Sequence, residues 1–249
     1  MAKKALGIDV GGTGIKGAIV NLETGKLTHS KIRILTPSPA TPDSVAQAIK
    51  EIVEQTGVKN KVIVGAGFPA IIKNGVSLSA ANIDKSWIGT NVSKVFSKKT
   101  KCKFIIANDA DVAGVAEMKF GKGKNQKGTV IFLTLGTGIG SAVFIDGKLV
   151  PNTEFGHLKF GKGIAEHQFS YKVKKLNNLT FKQWGKGLNT YLQHIEFIFS
   201  PDMIILGGGG SKKFKEIESE LNLKCKVTPA ALLNDAGVIG AAVLAGRAK

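Results

Sequence analysis

Three glycine-rich turns are the strongest chemical feature of the sequence. They lie at residues 9–14, 135–140 and 206–211, and each immediately follows a short apolar run. Glycine lets backbone N–H groups approach a polyanion without a Cβ atom in the way, and threonine or serine hydroxyls add hydrogen bonds. One such turn alone is more often only a tight hairpin. Three together favour phosphate as the ligand.

These turns match neither of two common phosphate motifs. The turn at 136–140 contains part of the dinucleotide fingerprint, but it leads into a second strand-like run rather than a helix, and no acidic residue stands at about position 160. No Gly-Lys-Ser/Thr sequence follows any turn at the spacing of a Walker loop. The sequence therefore indicates a different phosphate-binding fold.

Acidic residues also stand at the ends of apolar runs. Asp109 follows one such run beside Asn108, where a carboxylate could orient an attacking hydroxyl and take its proton. The alternative is that Asn108 or Asp109 only caps the helix that follows. Asp111 is the alternative base. Asp9, beside the first turn, could hold Mg²⁺ directly or through water, or could simply stabilise the turn.

The elements that must position these residues alternate between strands and helices, which predicts an α/β fold. A strand, a glycine turn and a second strand open the chain and recur around residues 136–140, which suggests a duplicated unit. The predicted strands cover residues 6–10, 16–20, 27–34, 62–67, 104–107, 130–135 and 141–145, and the predicted helices begin at Thr41-Pro42 and cover 181–199 and 235–248. We place an N-terminal lobe at 1–107 and a C-terminal lobe at 108–234, with helix 235–248 returning to the first lobe.

The bulk composition excludes several classes of protein. The chain has 249 residues, 43% of them hydrophobic, so it can bury a core. Two distant cysteines fit a reducing compartment, and no apolar stretch is suited to a signal peptide or a membrane span. We therefore expect a cytoplasmic protein without a membrane partner.

The net charge is unusual: the chain contains 35 lysines and arginines but only 18 acidic residues, which gives +17. Such a surface attracts polyanions. A DNA partner is not expected, because no binding module is recognisable and aromatic residues make up only 7%. The lysines cluster at residues 94–103, 119–127, 172–186 and 212–215. They could hold a long phosphate chain, or they could be an ordinary solvated surface.

Seven motifs in order resemble the ROK family of sugar kinases and regulators, and within it the polyphosphate glucokinases. The motifs are DVGGTGIKG, NIDKSW, NDADVAGVAE, LTLGTGIGS, PNTEFGH, GIAE and LGGGGS. The resemblance extends from residue 7 to the C-terminal helix. It implies an actin-like fold, related to ribonuclease H, with two lobes and an active-site cleft between them.

The resemblance also implies a role for each matching residue. The phosphate donor would be bound by Asp9, Gly11, Gly12, Thr13, Gly14 and Lys16, by Gly136, Thr137, Gly138 and Gly140, and by Gly207, Gly208 and Gly209, a segment that lies against adenosine in ATP-using relatives. The sugar would be held by Asn82, Asn108, Asp109, Glu154, His157 and Glu166, with Asp109 as the general base.

His157 departs from the family pattern in its surroundings. Many ROK proteins use the matching histidine as a zinc ligand beside a cysteine cluster, but residues 158–165 contain no cysteine. Structural zinc usually takes four nitrogen or sulfur ligands. We therefore predict no zinc, and instead a neutral imidazole that donates to a sugar hydroxyl between two carboxylates.

The implied activity is carbohydrate phosphorylation at the entry to glycolysis. The resemblance implies Mg²⁺-dependent transfer from inorganic polyphosphate, with ATP as a second donor, to the 6-hydroxyl of glucose. A strictly ATP-dependent ROK glucokinase is the alternative. A sugar-sensing ROK regulator is not expected, because the first turn begins at residue 9 and leaves no room before it for a DNA-binding region. A polyanion-binding protein without catalysis would leave the three turns unexplained. Mannose as an acceptor, and a homodimer, stay open.

Overall fold

The computed structural model describes residues 3–58, 62–81 and 83–247. The strands are β1 (Lys4–Val10), β2 (Ile15–Asn21), β3 (Ile32–Ile34), β4 (Ile63–Phe68), β5 (Ile72–Lys73), β6 (Val76–Ser77), β7 (Lys103–Asn108), β8 (Thr129–Leu135), β9 (Ile139–Ile145), β10 (Lys148–Val150), β11 (Lys159–Phe160), β12 (Gly163–Ile164), β13 (Met203–Gly207) and β14 (Lys226–Pro229). The α-helices are α1 (Pro42–Gln55), α2 (Val92–Thr100), α3 (Asp109–Phe120), α4 (Glu166–Phe169), α5 (Tyr171–Leu176), α6 (Phe181–Phe199), α7 (Gly208–Ser211) and α8 (Ala236–Arg247). Short 3-10 helices lie at Lys85–Trp87, Phe155–His157, Phe214–Glu216, Glu218–Glu220 and Leu233–Asp235.

The chain forms two compact units. The first contains residues 1–116 and 235–249, and the second contains residues 117–234. The first unit extends past the expected lobe end at Ala107, because the start of α3 packs on its sheet: a Cβ atom on Gly67 of β4 would lie 2.6 Å from the Cγ2 atom of Val112.

The sheet of the first unit has the order β3-β2-β1-β4-β7. β1, β2 and β3 are antiparallel neighbours, whereas β4 and β7 run parallel to β1. Asp9 pairs with Gly67, and Gly67 pairs with Ala107. The carboxyl ends of three parallel strands therefore meet at one edge of the sheet, where ligands of open α/β sheets commonly bind.

The second unit repeats this topology with the order β10-β9-β8-β13-β14. β8, β9 and β10 are antiparallel, and β13 and β14 run parallel to β8. The duplication indicated by the two strand-turn-strand segments is thus present in both sheets.

Helices cover these sheets with their apolar faces. Thr41 caps α1 by accepting the N–H of Ser44, and Pro42 occupies the first turn, where its missing N–H costs nothing. Thr180 and Gln183 form a capping box at the start of α6. No helix in the described part of the chain is both long and apolar enough to span a bilayer.

Helix α8 packs closely on β1 and β4 of the first unit, and glycines make this possible. A Cβ atom at Gly7 would lie 2.0 Å from the carbonyl oxygen of Val238, and one at Gly65 would lie 1.8 Å from that of Ala241. The helix backbone therefore rests directly on the sheet backbone.

The predicted third strand was too long. Only Ile32–Ile34 pairs as a strand with β2, whereas Leu27 forms an isolated bridge with Val20. The Thr28 N–H donates to the carbonyl of Ile19 as part of this bridge, and the Thr28 hydroxyl donates to the same oxygen. The backbone then bends at residues 28 and 29, so strand pairing stops until Ile32.

Candidate active site

The first glycine turn joins β1 to β2 in a closed loop. The N–H of Gly11 donates to the carbonyl of Gly14 at 3.2 Å. Lys16 on β2 reaches back to Asp9 on β1, with 3.3 Å between its Nζ atom and the carboxylate. The turn thus carries one cation and one anion at its base, both partly exposed.

Arg33 is not part of any of the sequence motifs, although its side chain lies against the first glycine turn. Its Nη2 atom donates to the carbonyl of Thr13 at 3.3 Å, and a Cβ atom at Gly14 would lie 2.8 Å from its Nε atom. Arg33 is one of only two arginines in the chain. It pairs with Lys16 across β2 and β3. The available signal was a basic residue in the predicted third strand.

The Asp9 carboxylate has the chemistry of an Mg²⁺ ligand. This ion prefers oxygen ligands and, at phosphate-transfer sites, is usually held by one or two carboxylates together with the phosphates of the substrate. The Asp9 side chain is 18% exposed beside the first turn, which fits that arrangement. Within the described residues, no group of three or more His, Cys, Asp or Glu side chains could hold a metal on its own.

Asn108 ends β7 and Asp109 begins α3, at the same sheet edge as Asp9. The Asn108 side-chain oxygen accepts the N–H groups of Ala110 and Asp111, so this residue caps α3, and its amide nitrogen donates to the carbonyl of Ala70. Asp109 is half-buried, and its Oδ1 atom accepts the N–H of Ala110 at 2.8 Å. Asp111 is only 1% exposed. Of the two candidate bases, Asp109 is the accessible one.

The second glycine turn lies in the second unit between β8 and β9. Its backbone is fixed by several bonds: Gly136 N–H donates to the carbonyl of Gly138, Gly140 N–H to Thr134 Oγ1, and Ile139 N–H to Glu166 Oε2 at 3.1 Å. Thr137 is exposed at the tip. We therefore expect an anion to meet this turn at its tip.

Glu154, His157 and Glu166 lie together beside this turn. The Nδ1 atom of His157 is 3.0 Å from Glu154 Oε2, and its Nε2 atom is 3.9 Å from Glu166 Oε1. Burial raises the pKa of Glu154, the charge and hydrogen bond of His157 lower it, and the charge of Glu166 raises it, with a net upward shift. Tyr191 supports the 3-10 helix that carries His157 by donating to the carbonyl of Phe155.

The third glycine turn follows β13 and forms the short helix α7. Gly208 has φ of +77°, a conformation that favours glycine. A Cβ atom at Gly208 would lie 2.7 Å from the carbonyl oxygen of Leu135, the first residue of the second turn. Lys172 N–H donates to the carbonyl of Gly136. The second and third turns are therefore adjacent.

Lysines and aromatic rings gather next to the third turn. The Nζ atoms of Lys174 and Lys213 lie 4.3 Å and 5.9 Å from the centroid of the Phe181 ring, and that of Lys175 lies 4.7 Å from the Tyr171 ring. A Cβ atom at Gly209 would lie 3.7 Å from Tyr171. Two lysine clusters that are separate in sequence thus converge on one ring.

The model of the ROK family matches residues 5–169, more than half of the chain. The chain belongs to the ROK family. Its ROK relatives include a protein of Mycobacterium tuberculosis named polyphosphate glucokinase, which is 46% identical over 97% of this chain and 91% of its own length. A Mycobacterium leprae protein of the same name is 43% identical over 96% of this chain and 74% of its own length.

Solved ROK structures resemble both the sequence and the fold. The inorganic polyphosphate/ATP-glucomannokinase of Arthrobacter sp. strain KM is 44% identical, covers 97% of this chain and 98% of its own, and superposes with a TM-score of 0.93. A ROK family glucokinase from Streptomyces griseus, solved with glucose and AMPPNP, is 23% identical over 99% of this chain and all of its own, with a TM-score of 0.84, and shows the fold alone.

These comparisons confirm the resemblance to ROK proteins, and to polyphosphate glucokinases in particular, together with the actin-like two-lobed α/β fold. Within the first unit the structure brings Asp9, Lys16 and the first turn to the sheet edge of Asn108 and Asp109. Within the second unit it gathers the second and third turns with Glu154, His157 and Glu166. Asn82 lies outside the described residues, so its role stays a prediction.

Proposed function

We propose that this protein transfers the terminal phosphoryl group of inorganic polyphosphate to the 6-hydroxyl of glucose, with ATP as a second donor. The observation that carries this proposal is the 46% identity, over 97% of the chain, to a protein named polyphosphate glucokinase. The named glucomannokinase neighbour supports both donors and adds mannose as a second acceptor.

Asp109 acts as the general base in this proposal. Its half-buried carboxylate takes the proton of the sugar 6-hydroxyl as that oxygen forms a bond to the terminal phosphorus. The bond from this phosphorus to the bridging oxygen breaks, and the shortened polyphosphate leaves with the electron pair. The N–H of Ala110, which donates to Oδ1, holds the carboxylate in one orientation.

Glu154, His157 and Glu166 bind the sugar hydroxyls, together with Asn108 and Asn82. A carboxylate can only accept, so the proton of a neutral His157 ring lies on Nδ1, toward Glu154. Nε2 then accepts from a sugar hydroxyl, the reverse of the donation expected from the sequence. Glu154 and Glu166 accept from further hydroxyls.

The first two glycine turns bind the donor phosphates. Lys16 and Arg33 contribute positive charge at the first turn, and Arg33 has a planar donor fork suited to phosphate oxygens. Asp9 would hold Mg²⁺, which when bound would neutralise part of the phosphate charge.

The lysines around Phe181 and Tyr171 favour a long anionic donor. Lys174, Lys175 and Lys213 lie beside the third turn, where a phosphate chain extending from the site would meet several cations at once. The Tyr171 ring against Gly209 also gives a flat surface for a base, which supports ATP as the second donor.

The test is formation of glucose 6-phosphate by the purified protein with Mg²⁺ and either long-chain polyphosphate or ATP. We expect product with both donors and a higher kcat/KM with polyphosphate. The rate with mannose in place of glucose tests whether mannose is a second acceptor, and the rate without Mg²⁺ tests the metal requirement. If product forms with ATP but not with polyphosphate, the protein is a strictly ATP-dependent glucokinase. If no product forms with either donor, the kinase proposal is refuted.

A further inference from the structure

Glu166 contacts both a sugar-binding side chain and the second phosphate turn, although 27 residues separate it from Ile139. Its Oε2 atom accepts the Ile139 N–H at 3.1 Å, and its Oε1 atom lies 3.9 Å from Nε2 of His157. The side chain is only 19% exposed, so it is enclosed rather than solvated. The Glu166 carboxylate therefore lies between His157, which belongs to the proposed sugar site, and Ile139 of the second glycine turn.

Gly138 shows how closely the carboxylate is packed on the turn. A Cβ atom at Gly138 would lie 2.3 Å from Oε2 and 3.2 Å from Cδ of Glu166. Any side chain at this position would displace the carboxylate. The glycine in the turn thus provides space for Glu166, in addition to any room that it leaves for phosphate.

Ile139 is held from its other side by the segment that carries His157. A Cβ atom at Gly156 would lie 2.2 Å from the carbonyl oxygen of Ile139. Gly156 belongs to the 3-10 helix Phe155–His157. The N–H and carbonyl of one turn residue therefore contact the two segments that bear Glu166 and His157, and a shift of either segment must move the turn.

We propose that Glu166 is a positioning residue that couples the two substrates, because its carboxylate fixes the second phosphate turn and at the same time faces the sugar. The inference rests on the proposed kinase function. When glucose binds and fixes Oε1, Oε2 holds Ile139 and the turn in one arrangement, so the donor binds more tightly. By linkage, the donor strengthens glucose binding by the same factor.

Glu154 is the matched control, because it shares the contact with His157 but, among the described residues, forms no hydrogen bond with the turn. Glu166→Gln keeps an oxygen for Ile139 and removes the charge. Gly138→Ala keeps the charge and displaces the carboxylate. Glu166→Asp shortens the side chain so that it cannot reach both partners, and replaces Gly138→Ala if that variant does not fold.

Initial rates over a matrix of glucose and polyphosphate concentrations give the interaction factor between the substrates. In the unaltered protein we expect each substrate to lower the KM of the other by about fivefold or more, within the usual range of coupling between sites. Gly138→Ala and Glu166→Asp should bring this factor to about one, and should raise the KM of both substrates. Glu166→Gln has the same length and keeps an oxygen for the Ile139 N–H, so it should retain the factor. Glu154→Gln should raise only the glucose KM and retain the factor.

Three results would overturn the proposal. They are independent substrates in the unaltered protein, an unchanged factor in Gly138→Ala and Glu166→Asp, or loss of the factor in Glu154→Gln as well. A purely structural role would lower the unfolding temperature without this pattern. If the unaltered protein makes no glucose 6-phosphate at all, the proposed function itself fails, which is a distinguishable outcome.

Discussion

Asn108 and Asp109 are neighbours with different surroundings. Asn108 is 7% exposed and accepts two N–H groups of α3 with its side-chain oxygen, whereas Asp109 is half-buried and its carboxylate accepts the N–H of Ala110. Of these two residues, Asn108 is therefore the one that caps helix α3. A residue that caps a helix can still bind a sugar through its amide, and that role stays a prediction.

Replacing the base should separate catalysis from binding. Asp109→Asn removes the proton acceptor but keeps the shape, so kcat should fall by about 1,000-fold, within the range for general base catalysis. Glucose affinity, measured by calorimetry, should change by less than about threefold. Asp111→Asn is the control and should keep kcat within about tenfold, because Asp111 is buried. Loss of turnover in Asp111→Asn, with turnover retained in Asp109→Asn, would reassign the base.

Arg33 should act on the donor alone. Its guanidinium lies against Thr13 and Gly14, so Arg33→Gln should raise the donor KM by about tenfold and leave the glucose KM unchanged. Arg247→Gln removes the same charge from the exposed end of α8 and should leave both KM values unchanged. Equal effects of the two variants would show that net charge matters, and that the position of Arg33 does not.

At the scale of elements, glycines determine how close α8 comes to the sheet. Gly65→Ala would place a methyl group 1.8 Å from the carbonyl oxygen of Ala241, so the helix must move away. We expect a loss of stability of about 3 kcal/mol, comparable to severe overpacking of a core. Denaturant unfolding measures it.

Gly187→Ala is the matched control within a helix. A Cβ atom there meets only Phe169 at 3.5 Å, an ordinary contact, and Gly187 lies in the middle of α6. Because alanine has the higher helix propensity, this variant should gain up to about 1 kcal/mol. A similar loss in both variants would mean that the close approach of α8 is not what Gly65 provides.

Much of the element pattern was predictable, because it depends on local periodicity and turn residues. The strands around the first two turns and helix α6 lie within a few residues of their predicted bounds. The third strand was overestimated because the backbone bends at residues 28 and 29, which the composition of this segment does not reveal. The contacts of Arg33 with Thr13 and of Glu166 with Ile139 could not be predicted, since they join distant segments through tertiary packing.

At the scale of the whole molecule, the charge of +17 is not evenly available to a ligand. The lysines at residues 94–103 are free of acidic residues in sequence, but in space Lys99 pairs with Asp43 at 2.9 Å. Lys213 likewise pairs with Glu216, whose hydrogen bond raises the pKa of the lysine. Net charge alone therefore does not identify the binding surface; the convergence of Lys174 and Lys213 on Phe181 is a more specific sign.

Salt should distinguish a local cationic surface from a general field. Between ~50 and ~300 mM NaCl, contacts of several lysines with a phosphate chain weaken together, so the polyphosphate KM should rise by about tenfold or more while the uncharged sugar keeps its KM. ATP has fewer phosphates, and its KM should rise less.

Replacing Lys174 and Lys213 by glutamine should raise the polyphosphate KM at low salt and flatten its salt dependence. Replacing Lys94 and Lys98 removes the same two charges from the first unit. If both double variants respond alike, the whole-molecule field attracts the donor; if only the first responds, the surface around Phe181 binds it, because screening acts on both pairs equally and only contact differs between them.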